Sequence, residues 1–379
     1  MNRNAIFIAI LSMVMMGCSS TEIKELEPAE LVDIEETIEL DEVWSFSLGD
    51  LREHDATRMQ PAIDGEQLFV IDAEGNLYSL DKNNGERNWN VELKKPITSG
   101  VSAADGVLAV GTAKGELLLL SQVDGHVIWT AQLTEELLSL PQIRNGLVVV
   151  QTTGGRLYGI DLENGARRWT YSVTMPSLTV RGTASPINYG EVSIAGFSTG
   201  KLAVIDNEKG GQIWEKPVSL PKGKTELERV VDIDSSPLLR NDVIYSAAYQ
   251  GELVAFRLYS AKKIWSKSLS TLNDLAVDDQ HVFVTDTDSN VHAVDPTSGA
   301  RIWMQDALHH RKLNAPVIWG DYLLTADFEG YLHIISKTNG QLIGREKPVS
   351  SAIGSSVLVS DKLIYLISDS GQLVALIQE

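Results

Sequence analysis

Three observations predict an all-β fold, an eight-bladed β-propeller of four-stranded antiparallel blades. A unit of the form G-x-L-x-x-φ-D-x-x-x-G-x-x-x-W, with φ apolar, recurs eight times. A second turn signal precedes each copy by nine or ten residues. The array lacks its last strand and begins with a surplus one, so the N-terminal strand is expected to pair with the last blade and close the ring.

The copies start at Gly75, Gly115, Gly155, Gly200, Gly251, Ser289, Gly330 and Gly371. Their spacings of 40, 40, 45, 51, 38, 41 and 41 residues match the length of a propeller blade. The clearest copy is Gly155-Arg-Leu-Tyr-Gly-Ile-Asp161, running on to Gly165 and Trp169. The preceding signals, such as Asp64-Gly65, Asp105-Gly106, Asn145-Gly146 and Asn241-Asp242, suit tight turns with positive φ. Between them lie short apolar runs such as 117–120 and 147–150, which imply strands covered on both faces by neighbouring blades.

Each unit reads as an inner strand A, then B, then C after the first glycine, and an outer D that carries the tryptophan. Glycine at the C-to-D turn tolerates positive φ, and the aspartate before it can bond to its own turn backbone. The tryptophan supplies apolar area where D meets the next blade. Irregular copies carry Ala261 or Ser289 in place of glycine, and Gly344 in place of tryptophan. The absence at Gly344 is expected to weaken one blade contact. The last copy stops at Glu379 without a D strand, whereas Trp44 has no A, B or C before it; residues 42–48 fill that gap.

Ahead of the array, a polar start with Arg3 leads into a twelve-residue run, 5–16, apolar except for Ser12, then Gly17 and Cys18. This reads as an export signal, and a run of twelve is too short to span a bilayer core of about 30 Å. The segment resembles a bacterial lipoprotein cleavage site, with Met15 where that family usually has leucine. The resemblance implies cleavage before Cys18 and acylation of that residue, the sole cysteine. Several acyl chains suffice for stable anchoring. With no second cysteine there is no internal disulfide. Residues 22–42 hold ten acids and one base, which suits a solvated spacer. The expected division is a signal peptide over 1–17, a lipidated acidic tether over 18–42 and the propeller over 43–379.

The net charge of -19, without any cluster of lysines or arginines, argues against a nucleic-acid partner. Gly196-Phe-Ser-Thr-Gly200 matches a nucleophile elbow, but it falls in a B-to-C hairpin where no helix follows. Gly223-Lys-Thr225 resembles the end of a phosphate loop, yet Val218 stands where the first glycine is required. His309-His310 shows neither a third ligand nor metal-type spacing. No catalytic residue, metal or cofactor is therefore expected.

Loop length points elsewhere. From tryptophan to the next turn signal the usual interval is 17 residues, but Trp169 to Gly190 spans 21 and Trp214 to Asp242 spans 28, and Trp44 to Gly65 also spans 21. The first two of these D-to-A connections are adjacent and emerge on one face, where insertions commonly form binding surfaces. The first holds Met175-Pro-Ser-Leu-Thr-Val-Arg-Gly182, and the second Glu228-Arg-Val-Val-Asp-Ile-Asp234. Apolar anchors beside an arginine and paired carboxylates suit a protein hot spot. Alternatively, Arg181 pairs with Asp232 or Asp234 within the rim.

The repeat resembles the PQQ-like propeller repeat, in which A-x-D-x-x-x-G-x-x-x-W recurs, as in Ala293-Val-Asp295 to Gly299 and Trp303. That likeness covers about 335 residues and admits two other readings, a dehydrogenase holding pyrroloquinoline quinone and calcium at the propeller axis, or a propeller that binds another envelope partner such as peptidoglycan. Such enzymes typically carry a vicinal cysteine pair, which is absent here. Lipid anchor, acidic tether, eight blades and the two loops together resemble the BamB family of outer-membrane protein assembly factors. The resemblance implies a non-catalytic scaffold of the β-barrel assembly (BAM) complex, on the periplasmic face of the outer membrane and lipid-anchored. It implies that Leu178, Val180, Arg181, Asp232 and Asp234 contact the POTRA domains of the barrel subunit BamA, and leaves open whether unfolded outer-membrane clients also bind. Ser19 after the lipidated cysteine implies sorting to the outer membrane.

Overall fold

A computed structural model describes residues 26–49, 51, 58–180 and 182–379, and places them in eight antiparallel sheets and no helix. Blade 1 comprises Ala62–Asp64, Gln67–Ile71, Asn76–Asp81 and Arg87–Glu92, in the order A to D. Blades 2 to 7 repeat this order along the chain. Blade 8 takes A to C from Leu358–Ser360, Leu363–Ile367 and Gln372–Gln378, and its D from Leu40–Ser47. The closing pair runs antiparallel from Leu40 opposite Gln378 to Ser47 opposite Gln372. Blade 2 has a fifth strand, Arg58–Met59, lying parallel to its long A strand, Ile97–Ala104.

Sequence periodicity accounts for these elements. B and C strands are apolar and buried in their central residues: every residue of Leu147–Gln151 in blade 3 is buried, and in Lys201–Asp206 of blade 4 the four between the ends are. D strands alternate, as in Arg167–Ser172, where Trp169 is buried between exposed neighbours. The A-to-B turns take positive φ at Gly65, Asp105, Asn145, Gly190, Asn241, Gly320 and Asp361. In blade 6 the Asp278 carboxylate instead accepts from the amides of Gln280 and His281, a side-chain-capped turn.

The tryptophans do more than fill space. In seven blades the indole Nε1 donates to a backbone carbonyl at the C-to-D turn of the next blade. The acceptors run from Lys82 for Trp44, at 3.0 Å, through Leu162 for Trp129, at 2.9 Å, to Lys337 for Trp303, at 2.8 Å. The turn glycine of that next blade lies under the ring. A Cβ on Gly165 would sit 2.8 Å from the Trp129 indole. A β-bulge immediately precedes each of these seven tryptophans, as at Val127/Trp129 and Glu42/Trp44. The extra residue lets the indole turn toward the next blade. It also leaves the bulged residue outside, which explains the exposure of Val43, Ile128, Ile213 and Ile302.

Blade 7 has the same bulge, beside Gly344. Blade 8 has no C-to-D turn, because its D strand comes from the N-terminus, so a tryptophan at 344 would have no carbonyl to stitch. The N-terminal segment passes there instead. The amides of Thr37 and Ile38 donate to the carbonyl of the bulged Ile343, at 2.8 and 3.3 Å. Ile38 is buried in the blade 7–8 core, and a Cβ on Gly344 would meet the Ile38 carbonyl at 2.7 Å. The expected weak contact is therefore filled by another part of the chain.

This changes the reading of the acidic stretch. Residues 26–39 are largely exposed, yet they run along the outside of blade 7 and bond to it. Arg345 donates to the Val32 carbonyl at 3.1 Å. Ala29 donates to the His309 carbonyl at 2.9 Å and accepts from Arg311 at 3.0 Å. Leu31 packs against the blade 6–7 core. The acids face outward while the apolar residues and backbone make the contacts, so charge counting alone reads the segment as free.

Candidate partner-docking face

Antiparallel strands alternate direction, so D-to-A connections and B-to-C turns share one face of the ring and the remaining turns share the other. Two adjacent long connections on the loop face are 173–186, between blades 3 and 4, and 218–237, between blades 4 and 5.

The second connection is anchored from below. Val230, Val231 and Ile233 are buried, and Ile233 packs with Ala184, Ile194 and Val254. Asp232, between them, is fully buried. Its carboxylate accepts from the Val180 amide at 3.0 Å and bonds to Ser198, and its carbonyl accepts from the Tyr249 amide at 2.7 Å. One residue thus ties the first long loop to two B-to-C turns. Burial pushes the Asp232 carboxyl up to about 6, because the charged form loses water. Asp234 is also buried, and a Cβ on Gly182 would lie 2.6 Å from its carboxyl carbon. Only glycine lets the first loop press so closely onto that carboxylate.

The structure therefore brings Val180, Asp232 and Asp234 together and gives them distinct surroundings. Leu178 is 49% exposed at the outer part of the loop, Val180 is half-buried, and both aspartates lie beneath. Arg181 and Cys18 fall outside the described residues. The aspartates are placed to position the first loop, with Leu178 presented above them.

Sequence reasoning missed the tip of the second loop. Leu220 and Leu227 are exposed there. Thr225-Glu-Leu-Glu228 forms a capping box: the Thr225 hydroxyl accepts from the Glu228 amide, and the Glu228 carboxylate accepts from the amides of Lys224 and Thr225. Those backbone bonds hold the Glu228 carboxyl below its usual range. The T-x-x-E spacing was the available signal.

Hydrogen bonds also join successive connections around the mouth of the ring. Leu140 donates to Ser185, Ser185 to Ser236, and Ser236 to Asp274; Asn273 then donates to Leu313, and Asn314 to Ser355. The loop face is thus a linked collar rather than independent loops.

Other sequence motifs resolve structurally. Gly196-Phe-Ser-Thr-Gly200 is a strand-turn-strand hairpin, with Gly200 at positive φ. His309 bonds to Asn290 and stacks on His310. Among the described residues, no three His, Cys, Asp or Glu side chains are placed to hold a metal ion.

Comparison with known proteins fits this architecture. A family model described as outer membrane protein assembly factor BamB matches residues 73–305. The outer membrane protein assembly factor BamB of Pseudomonas aeruginosa is 45% identical over 365 residues, covering 96% of each chain. The crystal structure of BamB from Moraxella catarrhalis superimposes with a TM-score of 0.82 at 26% identity, over 89% of this chain and 99% of that one. A quinohemoprotein alcohol dehydrogenase from Comamonas testosteroni shares the fold alone, with a TM-score of 0.70 at 12% identity, over 89% of this chain and 76% of that one. Repeat architecture, blade count and full-length identity agree, and the chain belongs to the BamB family of outer membrane protein assembly factors.

Proposed function

We propose that this chain is a non-catalytic scaffold of the BAM complex whose loop face docks the POTRA domains of BamA. The observation that carries the reading is the pairing of the two long connections. Buried Asp232 and Asp234 fix a loop that offers Leu178 and Val180 to a partner, and a loop fixed before binding loses little conformational entropy on docking. Arg181 supplies a charge beside the apolar anchors, a composition common at hot spots. Residues 1–17 act as the export signal, and lipid on Cys18 holds the protein at the periplasmic face of the outer membrane.

Titration calorimetry with the periplasmic domains of BamA tests the docking. Leu178→Glu should weaken binding at least tenfold, about 1.4 kcal/mol; unchanged affinity contradicts the site. Incubation with pyrroloquinoline quinone and calcium should give neither bound cofactor nor alcohol oxidation, and turnover would favour the dehydrogenase reading.

A further inference from the structure

The N-terminal segment that lies along blade 7 has a consequence for how the propeller meets the membrane. Its backbone enters strand D of blade 8 at Leu40, on the face of the C-to-D turns, and climbs the outside of blade 7 to the loop face. There it is gripped by the connection between blades 6 and 7. The grip is built around Arg311, which is 3% exposed. Its guanidinium bonds to the buried Asp327 at 2.7 Å and to Glu329, and it lies over the rings of Phe328 and Tyr331. One of its N–H groups is left for the Ala29 carbonyl, and the Ala29 amide is taken by the His309 carbonyl. Asp327 is in turn bonded to the fully buried His333. A buried cationic seat thus receives a main-chain carbonyl, and the Arg345 and Ile343 contacts hold the segment below it.

We propose that residues 29–38 are a docked strap that moves the root of the lipid tether to the loop face and thereby turns that face toward the membrane surface. The proposal rests on the reading of Cys18 as the lipidated residue. Ala29 lies eleven chain steps from Cys18, which extended reach roughly 40 Å. Without docking, the root would be Leu40, on the opposite face, with 22 residues reaching roughly 80 Å. Docking halves the reach and changes the side from which the tether leaves. The partner surface is the bilayer, met through the acyl chains, and the docking loops are held in the layer of periplasm beside it.

The full-length lipidated protein in phosphatidylethanolamine–phosphatidylglycerol vesicles provides the test. Cys18 is the sole cysteine and lipid blocks its sulfur, so an introduced cysteine takes a dye selectively. Lys114→Cys places the dye at the B-to-C turn of blade 2, on the loop face, and Val123→Cys at the C-to-D turn of the same blade. Energy transfer to headgroup-labelled lipid should be at least twofold stronger from position 114 than from 123. In an Ala29→Pro/Leu31→Ser background, which changes only the strap, that ratio should fall toward one. Hydrogen exchange across residues 29–38 should rise in parallel while that of the blades stays fixed. Equal transfer from the two faces in the otherwise wild-type chain, with the vesicles carrying the protein on flotation, overturns the strap and leaves the anchor standing. Failure to float overturns the anchor and the proposal with it.

Discussion

At the scale of single residues, Asp232 and Gly182 carry the most consequence. Asp232 has its folded-state pKa raised to about 6 by burial. A carboxyl of this kind binds its proton more tightly in the folded chain, so ionisation at neutral pH costs stability. Acidification from neutrality through about 6 toward the ordinary carboxyl range near 4 removes that cost. Asp232→Asn retains an acceptor for the Val180 amide without the charge. Its melting temperature relative to wild type should be higher at pH 7.5 than at pH 4.5, and a pH-independent difference would contradict the burial argument. Gly182→Ala drives a methyl into Asp234, within 2.6 Å of its carboxyl carbon. The account expects a local loss of about 1–3 kcal/mol and weaker docking, read by thermal denaturation and calorimetry. The sequence showed that these residue types share a loop pair, but not that both aspartates are buried. Burial here depends on Ile233 being drawn into the core beside residues of blades 4 and 5, a long-range contact with no local signature.

At the scale of elements, the bulge and the tryptophan work as one device. Trp129→Phe keeps the apolar ring and removes the bond to the Leu162 carbonyl, which should cost about 1 kcal/mol. Trp129→Ala should cost about 3–5 kcal/mol, by denaturant unfolding. Similar losses for the two variants would mean that the indole N–H, not the ring, holds the blades together. The repeat itself was legible because period and turn residues recur eight times and the tryptophan seven. The bulge was not, since the extra residue has no fixed type, being Asn88 in blade 1, Ile128 in blade 2 and Arg168 in blade 3, and shifts only the register. Gly344 shows the same limit from the other side. Read alone it is a missing side chain, whereas in the ring it is the space through which Ile38 passes. Gly344→Trp should therefore displace residues 37–38 and expose them to exchange, rather than improve the blade contact.

At the scale of the whole molecule, both ends of the chain are spent on closure. Removal of residues 1–47 deletes strand D of blade 8 and bares the edge of Gln372–Gln378, a template for pairing with other chains. That protein should self-associate on size-exclusion chromatography, whereas removal of residues 1–25 should leave a monodisperse ring. The hydrogen bonds that link its connections make the loop face a joined surface, and docking is a property of that face rather than of one loop. Recovery of BamA from solubilised envelopes tests this most directly, with affinity-tagged wild type, Arg181→Glu on the loop face and Asn145→Arg on the opposite face compared side by side. Wild type and Asn145→Arg should recover BamA equally while Arg181→Glu loses it. Equal recovery by all three would contradict a docking role for this face.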